Sequence, residues 1–443
     1  MGCSTDSLWG KSTEMPSFKR LEGEVKTDVL IIGGGMVGLL TAYFLEEMGV
    51  RYILVEKGRI CSGVTRNTTA KITVQHGLIY HKIIKDFGEE AARDYFAANT
   101  EALEKYKELC GSIDCDFEER DNFIYSQDRA KLRKEEEALS RLGINAAFYD
   151  ELPIPLNVAG AVCFENQAQF NPLKFIAHIS KGLNIFEGTH ISDIIGTVAY
   201  FDGGKIEADR VVIATHFPFL DRQGLYFMKM YQHRSYAVAL EKAEEYGGMY
   251  ADDEKKGMTF RNCGDLLIVG GGGHRTGKKG GGYRFLEEFA KEHYKGSKIV
   301  AKWATQDCIS LDSVAYIGEY SKGTKGIYTA TGFNEWGMSS SMVAAIGLSR
   351  MLVGKKWKYK ELYNPSRSIL KPQLFLNGVE SVAGLMCPTL RSCTHLGCAL
   401  SWNPQEHSWD CSCHGSRFSE DGRLLNNPAN KDKDFKGNKK TEP

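Results

Sequence analysis

Residues 28–56, DVLIIGGGMVGLLTAYFLEEMGVRYILVE, constrain the fold of this 443-residue chain more than any other stretch. A short β-rich apolar run, 28–32, leads directly into Gly33-Gly34-Gly35-Met36-Val37-Gly38. Val37, Leu40, Thr41, Phe44, Leu45 and Met48 then recur at helical spacing, and Gly49 ends the helix. A second apolar run, 52–55, delivers Glu56. This predicts a βαβ unit with G-x-G-x-x-G at the strand-to-helix turn and an acid after the next strand. Gly33 permits the tight turn, Gly35 lets the backbone approach a pyrophosphate, and Gly38 lets helix and sheet pack closely. The helix N-terminus favours phosphate charge, and Glu56 can accept from both ribose hydroxyls. A bare glycine triplet says little; between strand and helix, with the acid correctly spaced, it indicates a dinucleotide site.

The length allows two or three domains and a sizeable core. Lys+Arg equals Asp+Glu at 56 each, so the overall charge recruits neither nucleic acid nor an anionic membrane surface. No run reaches the apolar length that spans a bilayer. Residues 1–25 lack the apolar centre of a secretion signal and read as a mobile cytoplasmic leader. Of twelve cysteines, seven are scattered without metal-ligand spacing, as reduced thiols of a cytoplasmic protein are. The other five fall between 387 and 413 and set the C-terminal piece apart.

Past Glu56 and Lys57, a Gly/Ser/Thr-rich connection to Lys71 can run along an extended cofactor. Two later stretches also read as cofactor walls. Residues 208–216 form a buried strand ending in a polar turn at Thr215. Residues 326–338 give a strand and a glycine-bearing turn, before a small-residue helix from about 339 to 352. The helix N-terminus there could stabilise negative charge on a reduced flavin. These three segments, in this order, resemble the D-amino-acid-oxidase-like superfamily of FAD-dependent oxidoreductases over roughly residues 26–360. The resemblance implies that Gly33, Gly35, Gly38, Glu56 and Lys57 hold the ADP half of FAD. It places Thr65, Thr68, Thr69, Ala70 and Lys71 near the pyrophosphate and ring. Gly332, Trp336, Gly337, Met338 and Ser339 then lie beside the isoalloxazine.

The expected fold class is α/β: a Rossmann-like FAD-binding domain (26–83, 150–216 and 311–360) with an α+β substrate domain (84–149 and 217–310). A small all-β C-terminal domain is expected at 370–430, with a polar tail at 431–443. The run 266–275, LLIVGGGGHR, reads as a strand and flexible loop and not as a second nucleotide site, because no helix pattern opens at once. Cys308 lies near the place where some amine oxidases of the superfamily tether flavin. Its spacing to Asp312 does not fit that motif, so FAD is expected to be noncovalent. His76, His274 and Arg275 are the candidates for orienting or deprotonating a substrate; each histidine could equally be a hydrogen-bonded structural one. The acidic clusters 135–137 and 252–254 read as solvated surface.

The C-terminal segment CTHLGCALSWNPQEHSWDCSCHGSRF, 393–418, contains two compact pairs, Cys393-x-His395 and Cys411-x-x-His414. Two thiolates and two imidazoles can hold tetrahedral zinc. Mixed pairs in glycine-containing loops instead suit a [2Fe–2S] cluster with Cys₂ on one iron and His₂ on the other. Cys-Thr-His-Leu-Gly-Cys with Cys-Ser-Cys-His-Gly-Ser resembles the Rieske proteins of cytochrome bc complexes. That resemblance implies Cys393, His395, Cys411 and His414 as ligands and a Cys398–Cys413 disulfide clamping the loops. It also implies that Ser416 raises the potential by bonding cluster sulfur, while Phe418 stands where a Tyr donor is often found. A potential in the middle of the Rieske range, about −150 to +300 mV, is expected. Only residues 366–392 precede the first ligand loop, so the base of the domain is expected to be truncated. Either the flavin domains complete it or the cluster is exposed.

Together these halves suggest a dehydrogenase that oxidises a small amine or amino-acid-like substrate by hydride transfer to flavin. Electrons would then pass singly through the cluster to an external acceptor protein. The alternatives are a flavin reductase fed by a donor protein through the cluster, a redox sensor without turnover, and a zinc-stabilised oxidase.

Overall fold

The structure, a computed structural model, describes residues 6–254, 257–368, 374 and 391–435. In chain order, the elements that position the site are β1 (Gly23–Ile32), α1 (Met36–Glu47), β2 (Tyr52–Val55), β3 (Gly204–Ile213), β4 (Met230–Glu241) and β5 (Leu266–Arg275). They continue with β6 (Lys298–Ser310), β7 (Ile327–Thr331), α2 (Gly337–Leu352), β8 (Leu400–Asn403), β9 (Ser408–Cys411), β10 (Arg417–Ser419) and β11 (Leu424–Asn426).

The first sheet carries the parallel order β2-β1-β3-β7, with Ile31 opposite both Leu54 and Val212, and Val212 opposite Tyr328. Ile31, Leu54 and Val212 are fully buried, as strands covered on both faces require. The carboxyl ends of β1, β3 and β7 open at one edge, the ordinary ligand crevice of such a sheet. The helix predicted from about 339 begins two residues earlier, at Gly337.

The second sheet has nine strands among the described residues. Its long antiparallel core is β6-β4-β5, with Ser235 opposite Thr305 and Ala237 opposite Gly270. Gly160–Gln169, within a segment assigned above to the nucleotide domain, belongs to this sheet. It pairs with Glu118–Ser126, setting Phe123 opposite Cys163, and so buries residues 160–164. Lys71–Ile72 joins its edge, so the flavin loop is stitched to both sheets.

Three expectations about exposed segments fail only at particular residues: Glu136, Glu137 and Glu254 are exposed as expected, but Glu135, Asp253 and Trp9 are each held by a neighbour. Glu135 is buried, and its carboxylate accepts the N–H groups of Tyr80 (2.9 Å) and His81 (3.0 Å), capping the helix Tyr80–Phe87. Asp253 is buried against Lys131 at 3.1 Å. The leader is docked: Trp9 is 1% exposed, donates from Nε1 to the Thr68 carbonyl at 2.8 Å, and carries the Arg261 guanidinium over its ring.

The third sheet is the antiparallel meander β8-β9-β10-β11. Its core joins four cysteines to Leu400, Phe418 and Phe435, so the region expected to be a polar tail contributes to packing as far as Phe435. The runs 373–376 and 382–386, read above as the remnant base of this domain, lie outside the described residues except for residue 374. No helix among the described residues is long and apolar enough to cross a membrane.

Candidate active site and metal centre

The glycine turn has the geometry its sequence requires. Gly33 has φ +114°, and a Cβ there would lie 2.5 Å from the Ala214 carbonyl oxygen. A Cβ on Gly38 would lie 2.0 Å from the Gly33 carbonyl oxygen, so only glycine lets α1 approach β1. At Gly35 a Cβ would meet only Thr65 Oγ1, at 3.6 Å, leaving the approach over the α1 N-terminus to a ligand. Thr65 accepts the Met36 N–H at 3.2 Å. Glu56 accepts from the N–H groups of Gly34 (2.8 Å) and Gly58 (2.9 Å), which aims its carboxylate at the turn, while Lys57 is exposed. This cradle fits the ADP half of FAD.

A cavity of about 160 Å³ lies between the flavin loop, the second sheet and the α2 N-terminus. Thr68, Thr69, Lys71, Trp336, Gly337 and Met338 line it. Ala70 has φ +58° and its carbonyl, with that of Thr69, accepts from buried Arg261. Ser339 turns away, tying α2 to Thr73 through bonds of 2.7 and 3.0 Å. Thr215 donates to the Phe217 carbonyl, and Gly332 opens the turn before α2 with φ +73°. Asn334 holds that turn from within, donating to the Gly332 carbonyl at 2.7 Å and accepting the Ser310 N–H at 2.9 Å.

None of the three candidate catalytic residues lines the cavity. His76 is buried behind Trp336, stacked on it at 5.1 Å. Its Nε2 donates to the Thr73 carbonyl (2.8 Å), its Nδ1 accepts from Tyr95 (2.5 Å), and burial pushes its pKa down to about 3. It is a neutral support for Trp336. His274 stacks on Tyr236, and Arg275 donates to the Cys413 carbonyl at 3.2 Å. Both belong to the seat of the C-terminal domain.

Of the charged groups that do face the cavity, Lys71 was expected near the cofactor, whereas Asp307, Glu335 and Asp252 were missed. Lys71 is held by the Tyr250 carbonyl (2.8 Å) and the Thr259 hydroxyl, and burial lowers its pKa to about 7. Asp307 is 9% exposed, and burial, reinforced by Glu335, raises its carboxyl to about 7. Glu335 pairs with His233 at 2.7 Å, and burial raises Asp252 to about 6. Glu335 has φ +74°, a strained setting for a non-glycine residue. Its place beside Trp336 in the predicted turn was the one available signal; nothing in the sequence around Asp307 marks it.

At the C-terminus the two ligand loops share one backbone pattern. Cys393 N–H bonds the Cys398 carbonyl (2.8 Å) and Gly397 N–H the Cys393 carbonyl (3.0 Å). Cys411 and Ser416 (2.8 Å), and Gly415 and Cys411 (2.9 Å), repeat it. Gly397 and Gly415 close the loops at φ +82° and +88°. The imidazoles of His395 and His414 meet edge-to-face at 5.0 Å, their Nδ1 atoms buried, beside the buried sulfurs of Cys393 and Cys411. Two convergent imidazoles and two thiols fit a Rieske cluster. The expected Cys398–Cys413 disulfide is not present in this structure; the sulfurs of the two residues crowd with that of Cys411, all within 4.8 Å of one another.

This domain sits on β4 and β6. Gln232 donates to the His414 carbonyl at 2.9 Å and the Asn427 carbonyl at 2.7 Å; Gln306 donates to the Gly415 carbonyl at 2.9 Å. Arg234 forms a buried pair with Glu406, which also binds Arg417 at 2.9 Å; Arg417 in turn reaches Asp410 at 2.9 Å. Burial opposes the charge on Glu406, but Arg234 and Arg417 hold its carboxyl down to about 2. The flavin body thus packs directly against the loop of Cys411 and His414 and the turn that carries Glu406.

The chain matches the family model "FAD dependent oxidoreductase" over residues 28–351 and the "Rieske [2Fe-2S] domain" model over 379–436. It belongs to the FAD-dependent oxidoreductase family. The Bacillus subtilis protein YhfW, named for a Rieske 2Fe-2S iron-sulfur protein, is 34% identical across 96% of this chain and 96% of its own. The cytochrome b6-f complex iron-sulfur subunit 3 of Nostoc is 50% identical over 38 residues, 9% of this chain and 21% of that subunit. Among solved structures, L-proline dehydrogenase of P. horikoshii superposes with a TM-score of 0.65 at 20% identity, covering 78% of this chain and 98% of that one. Glycine oxidase of Geobacillus kaustophilus gives 0.63 at 19%, covering 78% and 99%. These likenesses show the fold of the flavin body. As a family member with a Rieske domain, the chain is an FAD- and [2Fe–2S]-dependent oxidoreductase.

Proposed function

We propose that this oxidoreductase oxidises a small amine or amino-acid-like substrate and delivers the electrons singly to an external acceptor protein. When bound, FAD takes the hydride of a substrate C–H bond, and a [2Fe–2S] centre handles one electron at a time. Gly33, Gly35, Gly38, Glu56 and Thr65 hold the first cofactor; Cys393, His395, Cys411 and His414 hold the second.

One observation carries the proposal: the cavity and the ligand loops lie on opposite faces of the same two strands. Along β6, Thr305 and Asp307 face the cavity, while Gln306 between them reaches Gly415. Along β4, Ser235 and Ala237 face the cavity, while Gln232 and Arg234 hold the loop of His414 and Glu406. Only one sheet separates the two sites. On the far side His395 is half-buried and Leu396 is 37% exposed, a surface an acceptor protein can reach. The free thiols at Cys61, Cys163 and Cys308 suit a reducing cytoplasm.

The decisive comparison is between the wild-type protein and His414→Ala, which removes one cluster ligand. Under anaerobic titration with an amine, the flavin of both should bleach. Only the wild type should then show a reduced-cluster EPR signal and pass electrons rapidly to a one-electron acceptor protein. Equal rates to that acceptor in the two proteins would defeat the relay.

A further inference from the structure

The charged groups facing the cavity do not balance. Lys71 is committed to the Tyr250 carbonyl and the Thr259 hydroxyl. Glu335 has His233, Glu254 has Lys131, and Asp252, only partly buried, accepts the Glu254 N–H at 2.9 Å. Asp307 is different: it is nine-tenths buried, it faces the cavity, and among the described residues no hydrogen bond or ion pair engages its carboxylate. A buried carboxylate without a partner is costly. FAD carries no cationic group, since its ring is uncharged when oxidised and its phosphates are anionic. A positive charge brought by the substrate would meet this carboxylate directly. No arginine among the described residues lines the cavity to receive a substrate carboxylate.

Resting on the amine-oxidising function proposed above, we propose that the substrate is an amine without a carboxylate of its own, its ammonium bound by Asp307. One proton then passes from the ammonium to the Asp307 carboxylate, giving a neutral amine and a carboxylic acid. The freed nitrogen lone pair supports loss of the neighbouring C–H as hydride to FAD. The position of Asp307 suits both states, because burial and Glu335 hold its carboxyl near neutrality at about 7. An α-amino acid would instead bring a second carboxylate toward Asp307 and Glu335, and like charges repel.

The test uses purified holoprotein and substrate pairs that differ only by a carboxylate: pyrrolidine and proline, methylamine and glycine, 1,4-diaminobutane and ornithine. Flavin bleaching is followed anaerobically. At least one amine should reduce the flavin at a concentration about 30-fold or more below that needed for its amino-acid partner. Asp307→Asn should raise the half-saturating amine concentration by a similar factor while keeping FAD content and flavin absorbance. Glu335→Gln, which keeps Asp307, should shift it less. If the amino acids reduce the flavin as well as the amines do, the assignment to Asp307 falls while amine oxidation stands. Should Asp307→Asn retain wild-type half-saturation, the assignment falls in the same way. If neither class of compound reduces the flavin, amine oxidation itself is wrong and the assignment goes with it.

Discussion

Single residues divide sharply between those whose chemistry is local and those whose role is set by a distant neighbour. The proposed cluster ligands could be named from sequence because Cys393, His395, Cys411 and His414 carry their spacing with them. Trp9 was not, since its partners Thr68 and Arg261 lie 59 and 252 positions along the chain. Its burial makes a direct prediction: Trp9→Ala should lower unfolding stability by about 3–5 kcal/mol, measured by urea denaturation of the FAD-loaded protein. It should also weaken FAD retention, because Trp9 Nε1 fixes the flavin-loop carbonyl of Thr68. Lys71 makes a prediction with a sign. Its folded pKa of about 7 lies below the unfolded value of 10.5, so between those values the unfolded chain binds the extra proton. Stability should therefore rise with pH through that window, and Lys71→Met should flatten the rise in denaturation curves taken between about pH 7 and pH 10.

At the level of elements, periodicity identified the strands but not which sheet each joins. β1, β2, β3 and β7 were readable as continuous apolar runs entering glycine-bearing turns. Gly160–Gln169, within a segment placed in the nucleotide domain, pairs instead in the second sheet, because membership depends on pairing with Glu118–Ser126, which no local pattern encodes. The strand ending in His274 and Arg275 was correctly read as a strand, but its last residues support the C-terminal domain and not a substrate. A docked domain on that edge requires buried charge to be matched across the contact. Glu406→Gln should leave Arg234 and Arg417 facing each other without their shared carboxylate, at a cost of about 3–5 kcal/mol. The acid limb follows from the same group: with a folded pKa of about 2 against an ordinary 4.5, its contribution is complete above 4.5 and is lost as pH falls through 2. Acid unfolding of Glu406→Gln should accordingly be less steep over that interval than that of the wild type.

For the whole molecule, this seat argues that, in the relay proposed above, the C-terminal domain does not work by swinging. Both glutamine contacts and the Arg234–Glu406 pair are buried, and Gly415 presses so closely on β4 that a Cβ there would lie 2.5 Å from that of Gln232. Gly277 meets the backbone of Ser412 at a similar distance from the other side. The short domain and the flavin body therefore share one interface, and the ligand loops stay against the sheet whose other face lines the cavity. Domain motions respond to solvent friction, whereas electron transfer across a fixed sheet does not. Stopped-flow mixing of the wild-type protein with a reducing amine should show cluster reduction following flavin bleaching at a rate unchanged by added glycerol. Gln232→Leu, which removes two of the donors that seat the His414 loop, should make that rate fall as viscosity rises while flavin bleaching keeps its wild-type rate. A wild-type rate that itself declines in proportion to viscosity would mean that the domain leaves its seat in every turnover, and that the sheet is a resting place and not the path.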